Sequence, residues 1–184
     1  MHTIYSKAFD AAGNVGTSAT VTVTVNNVVT QYLQNGGFET GNLTNWNAGG
    51  AYLPFVTSAA HYAGKYSAQL GSSTAPEQNG DSWISQTVTI PSGVVSTSLN
   101  FYYWAACTDV VSNAWQEVQI RNTSGVMLAQ VMKVCSNTQT WTHVYFNLIG
   151  YKGQTIQVYF NAHGIGDSNL TYMYLDQVTV SGGQ

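Results

Sequence analysis

The stretches SLNFYYW (residues 98–104) and WQEVQIR (residues 115–121) alternate apolar and polar side chains with a period of two. Successive side chains of a strand point to opposite faces, so this alternation marks a strand with one face in a core and the other outside. The same period recurs in TVTVTV (20–25), SWISQTVTI (82–90), THVYFNL (142–148) and QTIQVYF (154–160). Turn signals such as NGG, GKYS, PSG, TSG, YKG and HGIGDSN lie between them, at spacings of roughly ten to fifteen residues, the rhythm of an antiparallel sandwich. No segment carries a sustained helical apolar repeat, a helix cap or heptads, and the fold class predicted is all-β.

Alternation also sorts side chains by face. Val118 and Ile120 point inward, which places Trp115, Glu117, Gln119 and Arg121 together outside. Leu99, Phe101 and Tyr103 are expected in the core, with Asn100, Tyr102 and Trp104 outward; Ile156, Val158 and Phe160 go in, while Gln157, Tyr159, Asn161 and His163 go out. Sugars have apolar faces that stack on flat rings and hydroxyls that need amide, carboxylate or guanidinium partners. Tyr102, Trp104, Trp115, Glu117, Gln119, Arg121 and Tyr159 are therefore the candidate carbohydrate-binding residues, with Trp104 and Trp115 expected on one concave face and Trp115 a main stacking ring. The alternatives are that these aromatics cover a sheet packed on loops or on the N-terminal hairpin, and that Glu117 and Arg121 form a surface ion pair without a ligand role. Trp83 is ambiguous.

At 184 residues the chain is one large domain, or one domain plus a fragment. Only 7% of the residues are charged, with a net charge of -3, against about 25% in an average soluble chain. With a pI near 5.6 there is no basic stripe for phosphates, which argues against nucleic acid as a partner. A hydrophobic content of 44% with 12% aromatics argues against bulk disorder. No stretch has the length of an apolar membrane span, and no membrane partner is expected. The start, MHTIYSKAFDAAG, lacks the apolar run of a signal peptide. Met1 followed at once by strand-like sequence suggests a piece of a longer chain with its export signal upstream. Low charge and the sequons at Asn42, Asn122 and Asn169 fit a secreted, extracellular protein.

General acid and base work needs two carboxylates held close together. Asp10 sits in an N-terminal turn, Glu77, Asp81, Asp109 and Asp167 are placed in loops, and Glu117 alone is placed on a sheet face. With no G-x-S-x-G elbow, Cys-His pair or phosphate loop, no enzyme is expected. His2, His61, His143 and His163 are scattered without zinc spacing. Cys107 and Cys135 sit just past the ends of two strands. A disulfide between them, with Cα atoms about 5.5 Å apart, is the expectation for an exported chain; the alternative is two buried thiols.

A boundary falls near Asn26 to Thr30. Upstream, TIYSKAF and SATVTVTV flank the turn DAAGNVG, a hairpin too small to bury a core. YSKAFDAAGNVGTSATVTVTVNN resembles the last two strands of a bacterial immunoglobulin-like domain, which implies a hairpin fragment over residues 1–28 and a main domain over 29–184. In the main domain, NGGFETGNLTNW (35–46), GKYSAQL (64–70), SWISQTVTI and MYLDQVTV (173–180) stand in one order. Together they resemble the jelly-roll carbohydrate-binding modules of secreted xylanases and cellulases, within the galactose-binding-like group. The resemblance implies a jelly-roll β-sandwich, structural roles for Trp46 and Trp141, and a structural Ca²⁺ held by Glu39, the carbonyl of Lys65 and Asp176. A lone Asp beside Leu175 and Val178 can instead be a bulge or edge residue. Gln177 stands where many relatives carry a second Asp, which lowers the charge of the metal site. The function implied is a non-catalytic polysaccharide- or oligosaccharide-binding module in the same chain as parent hydrolase domains. The alternative is a C-terminal accessory domain of a secreted subtilisin-like or sedolisin-like peptidase with no sugar-binding role.

Overall fold

The computed structural model describes residues 2–24 and 28–183. Residues 25–27, which fall within the expected boundary and at the end of TVTVTV, lie outside the described residues. β1 (His2–Ile4) pairs with β4 (Val21–Val23), and β2 (Lys7–Phe9) with β3 (Val15–Thr17), all antiparallel. The turn between β2 and β3 is organised by Asp10, whose Oδ1 accepts the N–H groups of Ala12 at 2.9 Å and Asn14 at 2.8 Å. Gly13 takes a φ of 84° there, a conformation that favours glycine. Every described residue of this hairpin is exposed, as expected of two strands with no layer packed on them.

The remaining strands are β5 (Val29–Gln31), β6 (Asn47–Gly50), β7 (Phe55–Thr57), β8 (Ser67–Gly71), β9 (Asn79–Thr89), β10 (Ser96–Cys107), β11 (Trp115–Arg121), β12 (Met127–Val134), β13 (Thr142–Asn147), β14 (Thr155–Ile165) and β15 (Thr171–Gly183). One sheet runs β13-β10-β15-β8-β7, with β5 also paired to β15; the other runs β12-β11-β14-β9-β6. All pairings are antiparallel, and the two sheets form the jelly-roll sandwich. Two loop expectations change. β9 begins at Asn79, so Asp81 stands on a sheet and not in a loop, and β14 runs on to Ile165, so the first half of the expected turn HGIGDSN is strand.

The period-two pattern is what fills the space between the sheets. Leu99, Phe101, Val118, Ile120, Ile156, Val158 and Phe160 are all wholly buried. Phe101 on β10 meets Phe160 on β14 edge to face, with ring centroids 5.2 Å apart, and so joins the two layers. Trp46 closes one end against Phe38 and Phe160 and donates its indole N–H to the Asn35 carbonyl at 3.1 Å, the structural role implied for it. A buried amide also crosses the layers: Gln116 Nε2 donates to the carbonyls of Ala106 and Tyr172 at 2.9 and 3.2 Å.

β15 departs from strict alternation. Its pairing with β10 shifts register between Asn100 and Tyr102, and Gln177 takes a φ of 49°. The inward residues step from Leu175 to Val178, so the bulge turns both Asp176 and Gln177 away from the core.

Cys107, at the end of β10 in one sheet, is bonded to Cys135, just past β12 in the other, with Cα atoms 5.2 Å apart. The expected disulfide is present and ties the two layers.

Candidate functional site

The outer face of the five-stranded sheet is built from four registered rows. Trp115 stands opposite His163, and His163 opposite Asp81. Next come Glu117, Asn161, Trp83 and Gly49, then Gln119, Tyr159, Ser85 and Asn47, and last Arg121, Gln157 and Thr87. Six residue steps of about 3.3 Å lead from Trp115 to Arg121, so the face is roughly 20 Å long in that direction.

A chain of hydrogen bonds runs along it. Arg121 Nε donates to Gln119 Oε1 at 2.8 Å, and Gln119 Nε2 donates to Glu117 Oε2 at 2.8 Å. Asn161 Nδ2 donates both to Glu117 Oε1 at 3.1 Å and to Asp81 Oδ1 at 2.9 Å. His163 Nδ1 lies 2.7 Å from the same Asp81 oxygen, and against an ionised carboxylate that nitrogen is the donor. Glu117 and Arg121 therefore do not form the ion pair weighed from the sequence. Gln119 stands between them, and His163–Asp81 is the one acid–base contact among the described residues. Glu117 is also joined on this face by Asp81, contrary to the expectation that it would be the face's only acid.

The aromatic side chains play different parts from those expected. The Trp115 ring is stacked on His163 with centroids 4.1 Å apart, and Lys133 Nζ lies 3.5 Å from its centre. Two groups at those distances cannot share one side of a ring, so each covers one face of Trp115, leaving it no free face for stacking. This corrects the expectation that Trp115 would be a main stacking ring. Tyr159 is buried beneath Arg121, whose guanidinium carbon lies 3.3 Å from the ring centre. Burial pushes its hydroxyl pKa up to about 12. A group whose pKa is raised on folding contributes stability below its unfolded value near 10 that is lost as pH rises towards 12. In an alkaline titration followed by tyrosinate absorption, Tyr159→Phe removes a high-pH ionisation step; an unchanged curve would contradict this burial.

Trp83 is the ring that the sequence reading left ambiguous. It is half-buried on β9 with its centroid 5.8 Å from that of Tyr159. Its indole overlies Gly49, where an added Cβ would stand 2.5 Å from Cζ2. Trp83 borders a cavity of about 570 Å³ that it lines with Asn47, Ala48, Ser85, Arg121, Gln157 and Tyr159. A second hollow of about 340 Å³ shares Asn47 and adds Tyr32, Gln34, Asn45, Gln86 and Thr87. The signal for Trp83 was present: in SWISQTVTI the buried Ile84 and Val88 fix one face, which sends Trp83, Ser85 and Thr87 to the other.

Tyr102 and Trp104 lie elsewhere. They point outward as expected, but β10 belongs to the six-stranded sheet, so the core separates them from Trp115, Glu117, Gln119, Arg121 and Tyr159. The single groove expected for all these residues is not formed. Tyr102 stacks on Tyr62 at 3.6 Å, and Trp104 packs with Tyr174 and Tyr172 at 5.4 and 5.8 Å. Trp141 meets Tyr62 edge to face on the same side.

Glu39 and Asp176 both address the turn at residues 62–66. Glu39 accepts the N–H groups of Lys65 and Tyr66, each at 3.0 Å, and these hydrogen bonds hold its carboxyl below the usual range. Asp176 is wholly buried and accepts the N–H groups of Tyr62 at 2.8 Å, Ala63 at 3.0 Å and Gln177 at 2.6 Å. Burial pushes its pKa up, and the nearby Glu39 charge adds to that. No Lys or Arg among the described residues pairs with either acid, and no three Asp, Glu, His or Cys side chains converge there or elsewhere among them. Backbone N–H groups thus satisfy both carboxylates without a basic partner, the group of Lys65 that meets Glu39 is its N–H, and a hard cation there would have to take its other ligands from carbonyls or water. Glu77, also placed in a loop by the sequence, is buried and accepts the N–H groups of Thr171 and Ile165 at 2.8 and 3.0 Å, so it organises the chain beside β14 and β15.

No protein-family model matches the chain, and no curated protein matches it. Solved structures do share its fold. TmCBM61 in complex with β-1,4-galactotriose is 16% identical over 82% of this chain and 97% of that one, with a TM-score of 0.61. The CBM22-1 xylan-binding domain of Paenibacillus barcinonensis Xyn10C is 18% identical over 87% and 97% of the two chains, with a TM-score of 0.54. The K3 cleaved adhesin domain of Lys-gingipain from Porphyromonas gingivalis is 16% identical over 84% and 99%, with a TM-score of 0.55. The chain has the fold of the jelly-roll carbohydrate-binding modules, shared with an adhesin domain.

Proposed function

We propose that the sandwich is a non-catalytic carbohydrate-binding module that takes a polysaccharide or oligosaccharide on the outer face of its five-stranded sheet. The observation that carries this reading is the partly exposed Trp83 ring beside a cavity of about 570 Å³ lined by amides, two hydroxyls and a guanidinium. That is the pairing of a flat apolar surface with polar donors and acceptors that a sugar requires. Glu117, Gln119, Asn161 and Asp81 hold one another in place, which keeps Arg121 fixed beside the cavity before a ligand arrives. The Glu117 and Asp81 carboxylates are engaged by the same Asn161 amide, and we assign them no proton-transfer role.

Affinity electrophoresis and pull-down against a panel of soluble and insoluble glycans test the reading; retention by none of them overturns it. The separation of Trp104 from Trp115 favours the second reading, an accessory domain of a secreted subtilisin-like or sedolisin-like peptidase with no sugar-binding role. That reading predicts no retention on any glycan. The disulfide fits an exported chain, and the proposal includes parent hydrolase domains in the same chain, with residues 1–28 as the end of a neighbouring immunoglobulin-like domain.

The proposal also includes a structural Ca²⁺ at Glu39, Asp176 and the Lys65 carbonyl. The ion would balance the two carboxylates and fix the turn that covers Asp176. Chelation with EDTA is expected to lower Tm by a few degrees, a loss of about 1 to 2 kcal/mol, with recovery on adding Ca²⁺. An identical Tm in EDTA and in Ca²⁺ would remove the metal from the account.

A further inference from the structure

We infer that the glycan taken at this face carries a carboxylate, as a uronate sugar does, and that Arg121 binds that group. The inference rests on the sugar-binding reading above and names the class of sugar. Arg121 is the only charged residue lining the cavity beside Trp83. The second hollow, which shares Asn47 with it, is otherwise lined by Tyr32, Gln34, Asn45, Gln86 and Thr87, and also holds no acid. Among the described residues no carboxylate pairs with Arg121. Its hydrogen bond to Gln119 is made through Nε, so no acid occupies the two terminal nitrogens.

The way Arg121 is held suits an anion. The guanidinium lies against the Tyr159 ring, with its carbon 3.3 Å from the ring centre. One flat side is covered, and Nε is fixed by an amide that is itself fixed by Glu117. What remains is the edge bearing the two terminal nitrogens, the fork that matches a planar carboxylate through two parallel N–H bonds. A neutral hydroxyl could fill only part of that fork.

The charges of the face are also segregated. Glu117 makes no contact with Arg121, because the neutral Gln119 amide stands between them and hydrogen-bonds to both. Asp81 lies in the row at the far end, bound to His163 and Asn161. Lys133, the cross-strand partner of Glu117, turns its ammonium onto Trp115. An anionic group is thus favoured at the Arg121 end and opposed at the Asp81 end, which gives the bound glycan a direction.

The probe is a matched pair of soluble polymers, polygalacturonate and the same polymer after reduction of its carboxylates to primary alcohols, measured by affinity electrophoresis and calorimetry with the whole chain. Glucuronoxylan and its carboxyl-reduced form make a second pair with a different backbone. The wild-type protein is expected to bind the acidic member of at least one pair about tenfold or more tightly than its reduced partner, with the preference shrinking as salt rises. In Arg121→Gln the ratio should fall to about one, and in Arg121→Lys, which keeps the charge but loses the fork, it should be intermediate. Circular dichroism and Tm establish that each variant is folded. Equal binding of acidic and reduced polymers by the wild type would overturn the inference and leave the module reading standing. An acid preference that survives in Arg121→Gln would also overturn it, by placing the carboxylate elsewhere on the protein. Failure to bind any member of either pair, or any neutral glycan of the wider panel, would overturn both.

Discussion

Replacing Cys107 and Cys135 together by alanine is expected to lower the stability of the domain by about 3 to 4 kcal/mol. The bond closes a loop with a sequence separation of 28, and the chain-entropy account gives that magnitude for the freedom it removes from the unfolded ensemble. In the native state it joins the end of β10 to the segment after β12, one from each sheet. Between these points the chain makes its crossing from the six-stranded to the five-stranded layer. Without the bond, that crossing depends on the buried Gln116 amide and on packing around Ala114. Chemical denaturation of the double variant against the oxidised wild type measures the effect, and a fall in Tm of roughly 10 °C should accompany it. A difference below about 1 kcal/mol would mean that the unfolded chain is already compact in this region.

How far the sequence could be read follows from the period of the strand. In WQEVQIR, SLNFYYW and QTIQVYF, alternation puts the side chains from Trp115 to Arg121, Leu99 to Trp104 and Ile156 to Phe160 on the faces the structure gives them, including Gln116, which faces inward with Val118 and Ile120 although polar; Glu117 and Tyr159 lie on the outer face yet are buried there by their neighbours. Alternation has only two values, however, and a sandwich has two outer faces. Nothing in SLNFYYW says that its outer residues belong to a different sheet from those of WQEVQIR, because that depends on the path of the chain between Cys107 and Trp115. Tyr102 and Trp104 were grouped with Trp115 for that reason. The covering of Trp115 by Lys133 and His163 was not legible either. It arises from cross-strand neighbours on β12 and β14, which are far apart in sequence and meet only once the register is set. Asp81 was lost to an underestimated strand length, since DSW reads as the end of a polar loop until Asn161 and His163 are seen to pair with it.

Trp83→Ala is expected to weaken glycan binding by about 2 to 3 kcal/mol, roughly 30- to 150-fold in Kd. The other aromatic side chains of the face have their rings engaged: Trp115 lies between Lys133 and His163, and Tyr159 lies under Arg121. Trp83 rests on Gly49 and borders the cavity, so its indole is the flat apolar surface that a sugar ring can cover. The fold should survive the change, because Trp83 faces out of a strand whose inward residues, Ile84 and Val88, are untouched. Trp104→Ala supplies the comparison. It removes an indole of equal size from the outer face of the other sheet, where it packs with Tyr172 and Tyr174, and it should leave affinity within about twofold of wild type. Calorimetry with a glycan selected from the panel measures both variants. If Trp104→Ala abolishes binding and Trp83→Ala does not, the sugar lies on the six-stranded sheet, and the polar chain from Arg121 to His163 is a structural brace across the edges of β11, β14 and β9.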